Sequence, residues 1–276
     1  VPVHETEAAN DPKTPVSEGD LAGMFSGFGE AGVVGTETLE DTGAVRGILS
    51  RCDLVIADAT EDEHLARLVE AVERPSEYLW VGAAGLAGAL CDSLGDRVRG
   101  SVRGPSRKPE DVIRNGRPGL VVIGSLSGVS RGQLGFLEGR KDVRCVPLTD
   151  VRTTLRAARG SLEAGKNTVL HSSQETGKLS PAGVAGMLSE VVAGLSDADA
   201  FGGLVLTGGD TAVAVGRRLG GRGVRLVEEV EPGVPAGILV GPKPYSVVTK
   251  AGGFGGPETL SNALDRLSGG VGKGVA

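Results

Sequence analysis

Apolar and polar positions along the chain fall into short blocks that repeat a strand–helix order. Leu54-Val55-Ile56-Ala57-Asp58-Ala59 is a continuous apolar run closed by an acidic turn, the pattern of a buried strand. Glu63–Glu73 follows with Leu65, Leu68, Val69 and Val72 at helical spacing. Gly32-Val33-Val34-Gly35 and Tyr78-Leu79-Trp80-Val81-Gly82 are further strand candidates, and the second runs into a glycine-bounded helix start over Gly82–Ala87. The opening stretch, Val1 to about Gly19, is polar and broken by Pro2, Pro12 and Pro15, and predicts loop.

Beyond Gly119 the alternation restarts. Leu120–Ile123, Val143–Leu148, Thr168–His171, Gly203–Leu206 and Ser246–Thr249 predict strands. Helices are expected over Ser130–Gly139, Pro181–Leu195, Thr211–Leu219 and Pro257–Leu267, and a hairpin-like turn over Glu231–Gly237. Strands alternating with helices imply parallel sheets joined by crossovers. Between the two blocks, Arg97–Gly119 mixes Arg97, Arg99, Arg103, Arg107, Lys108, Arg114 and Arg117 with Gly104, Pro105, Pro109 and Pro118. Lacking aromatics and apolar periodicity, it predicts a solvated interdomain linker rather than an anion-binding patch. The expected fold class is therefore α/β: two α/β layer domains with mainly parallel sheets, the first incomplete. The boundaries are set at residues 1–104, a linker at 105–118, and 119–276.

Composition narrows the class. The 276 residues are 39% hydrophobic and 23% charged, as in a globular protein. Aromatics make up 3% and glycine is abundant at 46 residues, so Val, Leu, Ala and Ile must build the core around many tight loops. No run reaches the roughly 18–20 apolar residues of a membrane span. The N-terminus has no signal-peptide pattern, so a cytoplasmic location is expected, with no membrane partner. A net charge of −6 argues against a nucleic-acid partner. Cys52, Cys91 and Cys145 lie far apart, as do His4, His64 and His171, which gives no metal-ligand spacing.

Three strand–loop–helix junctions carry the candidate chemistry: Ile123–Ser130, Leu206–Ala212 and Thr249–Pro257. Each places glycines and hydroxyl residues between the carboxyl end of a strand and the amino end of a helix. Glycines let backbone N–H groups approach a phosphate, and the helix dipole favours negative charge there. In open α/β sheets ligands collect at that edge. Each loop also has a plainer reading: Asp210 or Thr211 as a helix N-cap, Ser127 or Ser130 as the cap of the helix that follows, Lys250 as an exposed solvated lysine. None of the loops is a Walker A sequence or a GxGxxG fingerprint, and the chain holds no GxSxG elbow.

Thr207-Gly208-Gly209-Asp210-Thr211-Ala212, Pro232-Gly233-Val234-Pro235-Ala236-Gly237 and Val248-Thr249-Lys250-Ala251-Gly252-Gly253-Phe254-Gly255 resemble the nucleotide-binding domain of the four-carbon acid sugar kinases. Gly124-Ser125-Leu126-Ser127 with Gln133 is similar to that family's first nucleotide loop, so the resemblance covers about 150 residues of the second half. In the first hundred residues, Pro2–Thr6, Asp11-Pro12, Pro15-Val16, Asp58-Ala59 with Asp62-Glu63, and Gly82–Ala87 resemble segments of the family's sugar-binding domain. There are departures. No acidic DDxTGA-type motif occurs, and Ala83, Ala84 and Ala251 stand where the family often has serine. The chain begins on Val1, and the resemblance implies that it starts downstream of that motif, lacking the N-terminal part of the sugar-binding domain.

The resemblance implies ATP-dependent phosphorylation of the terminal hydroxyl of a four-carbon sugar acid such as threonate, erythronate or 3-oxo-tetronate, with Mg²⁺. Ser125, Ser127, Gly208, Gly209, Asp210, Thr211, Gly252 and Gly253 would hold ATP. Asp210 would orient Mg²⁺ or a water on it, and is the candidate catalytic residue. Glu5, Asp11 and Gly85 would lie toward the sugar acid. The domains would then be a partial sugar-acid-binding domain over 1–104 and a nucleotide-binding domain over 119–276. The alternative is a non-catalytic nucleotide-binding fragment or regulatory module derived from such a kinase. Self-association as a homo-oligomer is left open, since a missing segment would expose apolar surface on the first half.

Overall fold

The computed structural model describes residues 2–6, 9, 14–99, 116–124, 127–173, 176 and 179–268. The chain divides into two compact units, Val1–Gly104 and Pro105–Ala276. Both are α/β layers with mainly parallel strands.

In the first unit β1 (Ala31–Val34) and β2 (Leu54–Ala57) pair in parallel, with Val34 opposite Ala57. Around them stand the short α1 (Leu21–Phe25), α2 (Thr42–Leu49), α3 (Asp62–Ala71) and α4 (Ala84–Arg99). Asp41 starts α2 by accepting from the N–H groups of Gly43 and Ala44. The core is small: Val34, Leu39, Val45 and Ala71, backed by half-buried Ile48, Val55 and Leu68. The strand expected over Tyr78–Gly82 does not form. A 3₁₀ turn, Pro75–Glu77, precedes it, and Leu79 and Val81 are 92% and 83% exposed. The apolar run there finds no strand to pair with among the described residues, so period and propensity alone mislead.

The second unit is a seven-stranded sheet in the order β4-β5-β3-β6-β9-β8-β7. Its strands are β3 (Gly119–Ile123), β4 (Val143–Pro147), β5 (Asn167–His171), β6 (Gly203–Thr207), β7 (Gly223–Glu231), β8 (Val234–Val240) and β9 (Tyr245–Lys250). The first five positions of that order are parallel, whereas β8 and β7 run antiparallel as a hairpin at one edge. The hairpin-like turn expected over Glu231–Gly237 thus joins two long strands.

Helices cover both faces. α6 (Val151–Glu163), α7 (Pro181–Asp197) and α8 (Gly209–Arg218) pack on one side, through Leu162, Leu188, Leu195 and Val215 against Leu120, Leu170 and Leu204. α5 (Gly128–Glu138) and α9 (Thr259–Ser268) pack on the other, through Leu137, Leu260 and Leu264 against Val121, Val169, Val205 and Val248. β3 and β6 are buried at every position, which is why they show as unbroken apolar runs. α6 was not foreseen, because its inward face is built from small and polar residues such as Thr154, Ala158 and Ser161. Each fully buried Leu or Val contributes about 1.5–3 kcal/mol, so this two-sided core dominates the unit's stability.

Candidate functional site

The sheet order places the three glycine junctions side by side. β3, β6 and β9 are consecutive and parallel, and their last paired row is Ile123–Thr207–Lys250. All three chains leave the sheet at the same edge. The junction after β3 enters α5, that after β6 enters α8, and that after β9 leads toward α9. β3 and β9 feed helices on one face while β6 feeds the other, and ligand crevices in α/β sheets form where adjacent connections diverge in this way.

The junctions are also bonded to one another. Gly208 N–H donates to Lys250 C=O at 2.9 Å, extending the β6–β9 ladder by one step. Gly208 has φ +95°, a conformation that favours glycine, and occupies the N-cap position of α8. Asp210 is therefore not the cap. It is exposed in the first helical turn, where a carboxylate complements the helix dipole. Thr211, one residue on, is buried against the β3 junction, since a Cβ on Gly124 would collide with its Oγ1.

The loop after β9 is held from behind. Ser127 caps α5 by accepting from Ser130 N–H, and its hydroxyl donates to Gly252 C=O at 2.8 Å. Ser130 Oγ donates to the same carbonyl at 2.9 Å. Gln133 Nε2 donates to the carbonyls of Phe254 and Gly256 at 3.0 and 2.8 Å. Both partners are acceptors, which fixes the orientation of this amide and leaves Gln133 Oε1 buried without a partner among the described residues. Lys250 is not a solvated lysine: it is 4% exposed and donates to the carbonyls of Ala251, Gly252 and Phe254. Burial pushes its pKa below the usual lysine value.

Of the residues expected to hold ATP, the structure gathers Ser127, Gly208, Gly209, Asp210, Thr211, Gly252 and Gly253 on the junctions at this edge, while Ser125 lies outside the described residues. Ser127 faces the Gly252 loop rather than open solvent. Lys250 and Ser130 were not among the expected site residues. The signal for Lys250 was a lysine ending an otherwise apolar strand, Val247-Val248-Thr249-Lys250.

In the first unit Glu5 sits exposed in a 3₁₀ turn, Val3–Glu5, and Asp11 lies outside the described residues. Gly85 is at the start of α4, where a Cβ would stand 2.9 Å from Leu65 Cδ1 of α3. It borders a groove of about 740 Å³ between α3 and α4, whose lining among the described residues includes Asp62, Glu63, Glu70 and Asp92 and no basic side chain. Among the described residues no cluster of three or more His, Cys, Asp or Glu forms a metal site, and no helix is long and apolar enough to cross a membrane.

Comparison with known proteins matches residues 120–260 to the family described as the nucleotide-binding C-terminal domain. Residues 1–90 match its companion, the sugar-binding N-terminal domain, a match that ends short of the boundary expected at 104. A D-threonate kinase of Salmonella typhimurium is 33% identical over 96% of this chain and 67% of its own length. A D-threonate kinase of Bordetella bronchiseptica is 32% identical over 96% and 64%. A 3-oxo-tetronate kinase of Pseudomonas savastanoi is 27% identical over 96% and 66%. The chain thus spans about two thirds of the length of these relatives. Among solved structures, a Bordetella bronchiseptica domain of unknown function, crystallised with citrate as a domain-swapped dimer, is 30% identical with a TM-score of 0.50 over 97% of this chain and 66% of that one. A Salmonella typhimurium crystal structure with 20% identity shares the fold at a TM-score of 0.72 over 96% and 67%.

Proposed function

Since the chain belongs to the four-carbon acid sugar kinase family, we propose that its second unit binds ATP at the shared edge of β3, β6 and β9, and that the protein it represents phosphorylates the terminal hydroxyl of a four-carbon sugar acid. The observation that carries this reading is the row Ile123–Thr207–Lys250, which brings three glycine-bearing junctions to one edge. First-turn N–H groups of α8 have no carbonyl to bond within the helix, and glycine loops expose more. Such an edge suits a polyphosphate.

Phosphoryl transfer requires little covalent chemistry of a protein. The sugar-acid oxygen forms a new bond to the γ-phosphorus, the bond to the β–γ bridging oxygen breaks, and the hydroxyl proton is released. Positioning and charge neutralisation do most of the work. Mg²⁺ generally uses one or two carboxylates together with substrate phosphates, and the exposed carboxylate of Asp210 fits that donor set without a preformed cluster. When bound, the ion would offset phosphate charge. The amides of Gly209, Gly252 and Gly253 would orient the phosphates.

D-threonate, 3-oxo-tetronate and D-erythronate kinases among the relatives make threonate, 3-oxo-tetronate and erythronate the substrates to try first. In the first unit Glu5, Asp11 and Gly85 are proposed to lie toward the sugar acid. The described lining beside Gly85 is acidic, so a basic contact to the substrate carboxylate is sought among other residues. The domain-swapped relative makes a homo-oligomer part of the proposal.

The test is calorimetric titration of the chain with ATP and Mg²⁺, followed by an ADP-release screen over the three acids. Absence of ATP binding at millimolar nucleotide sinks the proposal, whereas binding without turnover supports a non-catalytic nucleotide module. Asp210→Ala is expected to weaken Mg²⁺-dependent nucleotide binding. Unchanged affinity and turnover would return Asp210 to a dipole-stabilising role alone.

A further inference from the structure

We propose that Lys250 is a positioning residue for the nucleotide loop, a tethered cation in the place a monovalent metal ion would take, which turns the loop's amide groups outward; this rests on the nucleotide reading above.

Lys250 ends β9 in register with Thr207 and, beyond it, Ile123, and all three are buried. A charged group there is costly unless paired and fully hydrogen-bonded. Among the described residues no carboxylate is paired with it. Instead, the ammonium donates to the carbonyls of Ala251, Gly252 and Phe254 at 2.8, 3.1 and 2.9 Å. A lysine has three donors, so none remains for a phosphate. Lys250 is not a ligand of the nucleotide.

The consequence lies in the peptide planes. In a trans peptide the C=O of one residue and the N–H of the next point in opposite directions, and no cis bond occurs among the described residues. Drawing the carbonyls of residues 251, 252 and 254 inward therefore points the amides of Gly252, Gly253 and Gly255 away from the ammonium. None of these three amides donates to an acceptor among the described residues. Ser127, Ser130 and Gln133 reinforce the same polarity by donating to carbonyls of the loop. The loop thus has carbonyls that receive these donors, and Phe254 N–H donates to Ala251 C=O, while the amides of Gly252, Gly253 and Gly255 point the other way without an acceptor among the described residues. Rings of carbonyls that converge on one cation are how proteins hold potassium, and here the cation is covalently attached.

The experiment compares wild type with Lys250→Met by calorimetric titration of ATP and of inorganic tripolyphosphate. Ionic strength is held constant with the chloride salt of tetramethylammonium, K⁺ or NH₄⁺. Wild-type Kd is expected to be the same in all three. Lys250→Met is expected to bind both anions about ten-fold more weakly in tetramethylammonium and to recover several-fold in K⁺ or NH₄⁺. Wild-type affinity in the variant overturns the inference, and so does a loss that neither ion repairs. Wild type that binds neither anion overturns the nucleotide reading itself, a separate outcome. Should Lys250→Met fail to fold, Ser130→Ala takes its place, since it removes one donor from Gly252 C=O and keeps the ammonium. It is expected to weaken ATP about three-fold when measured well below its thermal midpoint, and unchanged affinity counts against the proposal.

Discussion

Thr211 Oγ1 occupies the space in which a side chain at Gly124 would begin, so the junctions after β3 and β6 touch through a glycine and a threonine hydroxyl. The contact fixes how closely α8 approaches the end of β3. Gly124→Ala is expected to destabilise the second unit by about 1–3 kcal/mol through overpacking, seen as a lower urea midpoint. Combined with Thr211→Ala, the cost should fall short of the sum of the two single changes, because they share one contact.

Gln133 is a second point of leverage. Its amide protons serve the carbonyls of Phe254 and Gly256, and it is fully buried. Gln133→Leu leaves both carbonyls without that donor and is expected to cost about 1–3 kcal/mol. Gln133→Glu is expected to cost more at neutral pH, since a carboxylate would face two carbonyl oxygens. Thermal melts of the three proteins at one pH check the order.

Asp199 stands beyond the end of α7 with φ +52° and pairs with Arg117 and with Lys243, the latter at 2.7 Å. The Arg117 guanidinium first, then the Lys243 ammonium, hold its pKa down to about 2. A depressed carboxylate contributes stability above its unfolded value, near pH 4, and loses it as pH falls through the folded value. Asp199→Asn keeps a residue that tolerates this backbone conformation. The stability gap between wild type and variant should narrow from about pH 4 to about pH 2, followed by melts across that range. The groups are partly exposed, so added salt should shrink the gap as well.

Thiol labelling separates the cysteines. Burial, with a small contribution from Glu138, pushes the Cys145 thiol up to about 11, whereas Cys91 is exposed on α4. The thiolate is the reactive form, so at pH 8 a maleimide should modify Cys91 well before Cys145. Peptide mapping over time reads the order.

The sequence disclosed the second unit well where burial is two-sided. Leu120–Ile123 and Gly203–Leu206 are apolar at every position because helices cover both faces. Edge and one-sided elements were harder. β7, with Arg225, Glu228, Glu229 and Glu231, carries too much charge to show as a strand until β8 is seen beside it. Tyr78–Gly82 failed in the opposite sense, with strand-like residues and no strand. At the site, the glycines of Gly208-Gly209 and Gly252-Gly253 were legible because loops that approach ligands need them. The role of Lys250 was not, since its partners are backbone carbonyls that exist only once the loop has folded over it.

The outer strand of the hairpin has a bearing on solubility. β7 has irregular register between Leu226 and Glu228 and again between Glu229 and Glu231, and it carries Arg225, Glu228, Glu229 and Glu231. At the opposite margin β4 ends in Pro147, which has no N–H to offer. Irregular, charged or proline-bearing margins resist the addition of a foreign strand. A seven-stranded sheet with these borders is terminated on both sides, so growth by strand-to-strand recruitment between neighbouring molecules is disfavoured at the unit that carries the glycine loops.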